Sequence, residues 1–326
     1  MSKIMSAMIE RAKQLLESGS VKRVVGWTKG EFYHDPSPAS FESVDELKNF
    51  VYNDFCGANL SKYMIEISKK EGKTAVFLKP CDTLSFNQLL KENRIKRENV
   101  YVIGIACNGK LDNNKLMAKG IDGITEESYD GEKVNIKSIY GDKTVDKAEV
   151  LLEKCLCCKG KTHAVSDETI IIDQDEHVAN DRFSVVAQLE NMTADERFAF
   201  WKSQLSKCIR CNACRNVCPA CSCVKCVFDN NASGISAKAN DSEFEEKMYH
   251  IIRAFHVSGR CTDCGECSRV CPQNIPLHLI NRKFIKDINE FYGEYQAGET
   301  SEGRTPLTSF TTEDTEPNDA VKGEQK

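Results

Sequence analysis

Cys208-Ile209-Arg210-Cys211-Asn212-Ala213-Cys214-Arg215-Asn216-Val217-Cys218-Pro219 is matched further on by Cys261-Thr262-Asp263-Cys264-Gly265-Glu266-Cys267-Ser268-Arg269-Val270-Cys271-Pro272. Both read C-x2-C-x2-C-x3-C-P, a ligand spacing for 4Fe–4S clusters. Three closely spaced thiolates wrap one face of a cubane, and the fourth, just before proline, reaches across to the neighbouring cluster. The pair predicts two 4Fe–4S clusters side by side. Cys208, Cys211, Cys214 and Cys271 are assigned to one, and Cys261, Cys264, Cys267 and Cys218 to the other. Two four-thiolate zinc sites are the competing reading. A disulfide framework fits poorly, because 17 cysteines is an odd number and clustered thiols suit a reducing compartment.

Around these runs the pattern is helical. Thr193-Ala194-Asp195-Glu196 has capping-box spacing, followed by Phe198, Phe200, Trp201 and Leu205. Forty-two residues, 219–260, separate the runs. They contain a helical stripe of Phe244, Met248, Ile251, Ile252 and Phe255, and a further stripe runs from Leu277 to Phe291. Both stripes are expected to pack as core. The layout is that of an α-helical ferredoxin domain and resembles the iron–sulfur subunits of succinate dehydrogenases and heterodisulfide reductases. Residues 298–326, rich in Thr, Glu, Ser and Pro, are expected to form a disordered tail.

Upstream the pattern changes to α/β. Helices are expected over Ile4–Leu16, Ser43–Val51, Leu60–Ser68 and Leu84–Glu92, and a hairpin over Val21–Tyr33 with a turn at Lys29-Gly30. Asp35-Pro36-Ser37-Pro38 reads as a rigid turn. Thr74–Leu78 and Val100–Ile105 are continuous apolar strands flanking a helix, which is a parallel βαβ unit. Further strands are expected near Val134–Tyr140 and Thr169–Asp173. The expected fold class is thus an α/β N-terminal domain, 1–190, plus a helical dicluster domain, 191–297.

A chain of 326 residues with 40% hydrophobic content supports two or three cores. A net charge of -5 and the absence of a basic stripe exclude nucleic acid as an expected partner. Charges at Lys3, Glu10, Arg11 and Lys13 interrupt the first helix, so it does not read as a signal peptide. No apolar run approaches membrane-spanning length, and a cytoplasmic location is expected.

Nine cysteines lie outside the two runs. Cys81, in Leu78-Lys79-Pro80-Cys81-Asp82, and Cys107, in Ala106-Cys107-Asn108-Gly109, follow the two apolar strands. Neighbouring parallel strands open onto one crevice at their C-terminal ends. Cys155-Leu156-Cys157-Cys158 supplies a C-x2-C pair. Cys81, Cys107, Cys155 and Cys158 therefore read as ligands of a third 4Fe–4S cluster, or else as buried inert thiols. Cys221, Cys223 and Cys226 are dense enough for a further metal if Cys56, Cys157 or a histidine completes the set. Alternatively they pack around the first cluster and tune it. The six histidines form no metal motif and read as surface or capping residues. There is neither G-x-G-x-x-G after a strand nor a phosphate-cradling G-x4-G-K-[ST].

With Pro80-Cys81-Asp82, Cys107 and the Cys155/Cys158 pair, the chain resembles the beta subunits of F420-reducing hydrogenases and F420-dependent formate dehydrogenases. The resemblance covers roughly residues 15–165, and the ferredoxin part of the formate dehydrogenase branch extends it to about 290. It implies the third cluster and an FAD beside it. Asn59, Lys62, Lys79 and Thr83, near the same crevice mouth, are candidate flavin contacts, or ordinary surface and capping residues. Three clusters and FAD make the chain a two-electron to one-electron converter. No catalytic nickel–iron or molybdopterin motif is present, so it is expected to work as one subunit of a redox complex. Ferredoxin, NAD(P)H or F420 would be its carrier. Bacterial relatives of the family resemble subunits of NAD(P)- and ferredoxin-linked complexes, including electron-bifurcating transhydrogenases. The alternative is an iron–sulfur relay and docking subunit with no flavin and no substrate site of its own.

Overall fold

The computed structural model describes residues 2–174, 181–230, 243–303 and 305–307. The chain forms two compact units, Met1–Asn180 and Asp181–Lys326. Most of the expected tail, residue 304 and 308–326, lies outside the described residues.

Eight strands belong to the first unit: β1 Arg23–Thr28, β2 Ser37–Phe41, β3 Thr74–Leu78, β4 Val100–Ile105, β5 Ile124–Asp130, β6 Lys133–Ser138, β7 Lys143–Asp146 and β8 Glu168–Ile170. The main sheet has the order β2-β1-β3-β4-β8, and β5-β6-β7 form a separate antiparallel sheet. Strands β1, β3, β4 and β8 run parallel. Strand β3 is buried throughout and β4 nearly so, which is why both read as unbroken apolar runs. Trp27, Met64, Phe77 and Phe86, all without exposed surface, centre the core.

Several local expectations shift. The partner of β1 is β2, in register from Val24 with Phe41 to Thr28 with Ser37, and not the Phe32-Tyr33 segment. The supposed turn at Ser37-Pro38 is therefore strand. Proline is tolerated there because β2 is the sheet edge, where a missing N–H breaks no ladder. The 43–51 helix is a 3-10 stretch, Asp45–Asn49, ended where Phe50 bridges Thr28. The 60–68 helix is a 3-10 turn, Leu60–Tyr63, running into a short α-helix, Met64–Ile67. The next helix starts at Pro80 rather than Leu84, with proline in its first turn, where no N–H is needed. This puts Cys81 at a helix start.

In the second unit, helices Ser184–Glu190, Ala194–Leu205, Glu243–Val257 and Leu277–Tyr292 surround the cysteine runs. Thr193 and Glu196 form the expected capping box. The Glu243–Val257 helix is turned the other way from expectation. Phe244, Ile251 and Phe255 are 69%, 41% and 60% exposed, whereas Glu246, Tyr249, His250 and Arg253 are buried. Periodicity correctly groups the apolar residues on one face. It does not say which face turns inward, and here the inward neighbours are cysteines that favour polar and charged groups. The expectation of an apolar core face fails for this helix.

Candidate iron–sulfur sites

Each run repeats one backbone. The residue before the second cysteine and the residue after it are both left-handed: Arg210 and Asn212 at φ 55° and 61°, Asp263 and Gly265 at 56° and 64°. A single helical turn follows in each, Ala213–Asn216 and Glu266–Arg269. Backbones of this kind turn N–H groups toward one side and suit an anion. The Arg210 amide already points at Cys208 Sγ, at 3.4 Å. The Asn281 amide group approaches Cys267 Sγ at 3.9 Å.

Burial pushes the Cys208 and Cys267 thiols up to about 12, and raises Cys214 and Cys261 as well. Cys218 is the exception, drawn down to about 6 chiefly by a hydrogen bond from Cys221, with Arg253 adding to it. Thiols this deeply buried ionise only if a cation compensates, so the donor set fits iron. Cys208 Sγ, a Glu246 carboxylate oxygen and a His250 ring nitrogen lie within 4.8 Å of one another. Contrary to the surface role expected for the histidines, His250 and His278 are 1% and 6% exposed. Burial, then Arg253 and Arg210, hold His250 down to about 3, so it is neutral. The sequence signal for it was its position four residues after Glu246 on one helix face.

Cys221, Cys223 and Cys226 do not converge. Cys221 hydrogen-bonds Cys218, Cys223 is exposed, and Cys226 bonds the Arg215 guanidinium. Cys56 is fully buried in the first unit, where its thiol meets Asn53 Oδ1 at 3.5 Å.

β3 and β4 are neighbours, so Cys81 and Cys107 leave adjacent strand ends. The charge of Cys107 raises both Cys81 and Cys155, and that of Cys158 also raises Cys155. Burial is the larger cause for both thiols, and it takes Cys155 to about 12. Gly109, at φ 98°, makes the turn that lets the Lys110 amide reach Cys155 Sγ at 3.3 Å. Sequence reasoning named Lys79 only as a candidate flavin contact at the crevice mouth, and it missed Lys110 and Lys154. Lys79, with no exposed surface, pairs with equally buried Asp82 at 2.7 Å, and Lys154 also lowers Cys81. Lys110, 1% exposed, bonds Asp54 at 3.0 Å and lies over the Tyr52 ring.

The candidate flavin contacts face inward. Lys79 also donates to Ala58 O, Thr83 donates to Pro80 O and accepts from the Ala164 amide, and Asn59 bonds Ser61 and Ser85. Lys62 is half-buried. A cavity of about 920 Å³ lies instead beside Ala106 and Asn108, lined by Tyr33, Tyr52, Asp54, Lys110 and Tyr129 among others. Its size and aromatic walls fit a flavin-sized group.

The 4Fe-4S dicluster domain profile matches residues 204–275. The F420-dependent formate dehydrogenase subunit beta of Methanocaldococcus jannaschii is 24% identical over 86% of this chain and 88% of its own. The F420-dependent formate dehydrogenase 1 subunit beta of Methanococcus maripaludis is 24% identical over 85% and 87%. A putative ferredoxin-3 of Sinorhizobium fredii is 32% identical over 24% of this chain and 75% of its own. In a structure of the F420-reducing nickel–iron hydrogenase complex from Methanosarcina barkeri, one chain aligns over 47% of this chain and 58% of its own. Its identity is 14% and its TM-score 0.36, too loose a likeness to carry a fold. The chain is thus an iron–sulfur protein with a helical dicluster domain. Over most of its length it is similar to two F420-dependent formate dehydrogenase beta subunits, which are subunits of oxidoreductases.

Proposed function

We propose that the chain is the flavin- and iron–sulfur-bearing subunit of a multi-subunit oxidoreductase, with three 4Fe–4S clusters and one FAD. Cys81, Cys107, Cys155 and Cys158 would hold the cluster of the first unit, and the two runs would hold the other two. Bound FAD would take two electrons as hydride from F420 or a nicotinamide and release them one at a time. The observation that supports this most is that β3 and β4 are neighbours, so Cys81 and Cys107 leave adjacent strand ends, with the aromatic cavity beside Ala106 and Asn108.

The chain's own residues set the conditions. Lys79 and Lys154 favour the Cys81 thiolate, and Lys110 places its amide on Cys155. Tyr52 donates to Ala106 O at 3.0 Å and braces the segment before Cys107. Burial would lower the Lys110 ammonium, but Tyr52, Asp54 and the cysteines nearby raise it well above its ordinary value, so it stays charged. An apolar groove of about 730 Å³ in the second unit, with Phe198, Ile251 and Phe255 exposed on it, suits a subunit that works in a complex.

Anaerobic purification followed by iron, acid-labile sulfide and flavin analysis tests the reading. Full iron loading without flavin leaves the relay-and-docking subunit, which the inward-facing Lys79 and Thr83 and the missing dinucleotide fingerprint favour. Cys81→Ala is expected to lose about four irons while the two clusters of the runs survive. Unchanged iron would remove the third cluster.

A further inference from the structure

The buried face of the Glu243–Val257 helix carries Glu246, His250 and Arg253, spaced four and three residues apart on one side. Arg253 is the unusual member. It is 2% exposed, and Nε, Nη1 and Nη2 all lack a hydrogen-bond partner among the described residues. A guanidinium has five N–H donors, and leaving it buried without acceptors is strongly unfavourable. Some acceptor therefore belongs in front of it.

One helical turn before Arg253, Tyr249 packs in a cluster with Cys208, Cys214, Cys267 and Cys271, and one turn after it Val257 packs with Cys218 and Cys261. Cys214 falls to one predicted cluster, and Cys218 and Cys267 to the other. Arg253 thus stands among ligands of both clusters, with donors free for either.

We propose that Arg253 bridges the two clusters electrostatically, its guanidinium donating hydrogen bonds to sulfur on both sides and holding both reduction potentials up. This rests on the dicluster reading. Reduction adds negative charge to a cluster, and a fixed positive charge with N–H···S bonds favours the reduced form. Arginine suits the place because it keeps its charge when buried and its planar fork spans two acceptors. One residue acting on both clusters shifts both potentials in the same direction.

The test uses the anaerobically purified full chain, as wild type and as Arg253→Gln, Arg253→Lys and Arg253→Met. Iron and acid-labile sulfide are measured first, then cluster midpoint potentials by EPR-monitored redox titration. Absence of sulfide from the wild type would remove the dicluster reading itself. With clusters present, Arg253→Gln is expected to lower both midpoints, and Arg253→Lys to lower them less. Cluster loss in Arg253→Met but not in Arg253→Lys also supports a charge role. Unchanged midpoints in Arg253→Gln, a shift in only one cluster, or equal cluster loss in Arg253→Gln and Arg253→Lys would overturn the proposal.

Discussion

At the residue before the second cysteine, the two runs share a left-handed turn and carry opposite charges, Arg210 in one and Asp263 in the other. Arg210 lies 3.6 Å from Glu246 and over the Tyr249 ring. Asp263 takes Arg182 at 2.7 Å and Arg282 at 3.0 Å. Two positions on, the left-handed residue is Asn212 in the first run and Gly265 in the second. Asn212 secures its turn by donating to Arg210 O at 3.0 Å and accepting from the Tyr249 hydroxyl at 2.9 Å, whereas glycine simply lacks a Cβ to clash. The same ligand backbone is thus stabilised by two different sets of neighbours. Since charge and hydrogen bonding around sulfur set a cluster's potential, the two sites need not be electronically equal.

Substitutions can break this comparison. Asp263→Ala should have the largest effect, because it removes the carboxylate shared by two arginines that are at most 10% exposed. A loss of about 3–5 kcal/mol is expected in anaerobic denaturant unfolding; a loss below 1 would mean the pairs are dispensable. Arg210→Ala should cost about 1–3 kcal/mol, since its ion pair is longer and Glu246 has other contacts. If it costs more than Asp263→Ala, the two runs are ranked in the wrong order. Gly265→Ala, forcing a Cβ into a left-handed residue, should cost about 1–2 kcal/mol, read from the same unfolding curves. Tyr249→Phe should cost about 1 kcal/mol through the buried bond to Asn212. A double mutant with Asn212→Ala should then be less than additive, and full additivity would uncouple the two groups.

The first unit's site is a second contrast. Each run offers three thiols within a short stretch and a fourth to the other run, a pattern that spacing alone makes legible. Cys81 and Cys107 leave adjacent strand ends only because β3 and β4 pair, and pairing is not written in any local window. The parallel unit, the Thr193 capping box and the cysteine spacing were legible because each depends on periodicity or on contacts three or four residues away. The β1 partner was misplaced because Pro36 and Pro38 signal a turn unless the strand is known to be an edge. The burial of Lys79 against Asp82, and of Lys110, His250 and Arg253, was not legible because charged residues are ordinarily solvated.

What this sequence determined by itself is which residues can chelate iron and which residues share a face, since both follow from distances along the chain. Only the tertiary structure decided that the Glu243–Val257 helix turns its polar face inward and that Lys79 and Lys110 are sealed beside the strand-end cysteines. The physical reason is that a buried charge is tolerable only where opposite charge or hydrogen-bonding partners surround it, and those neighbours come from distant parts of the chain.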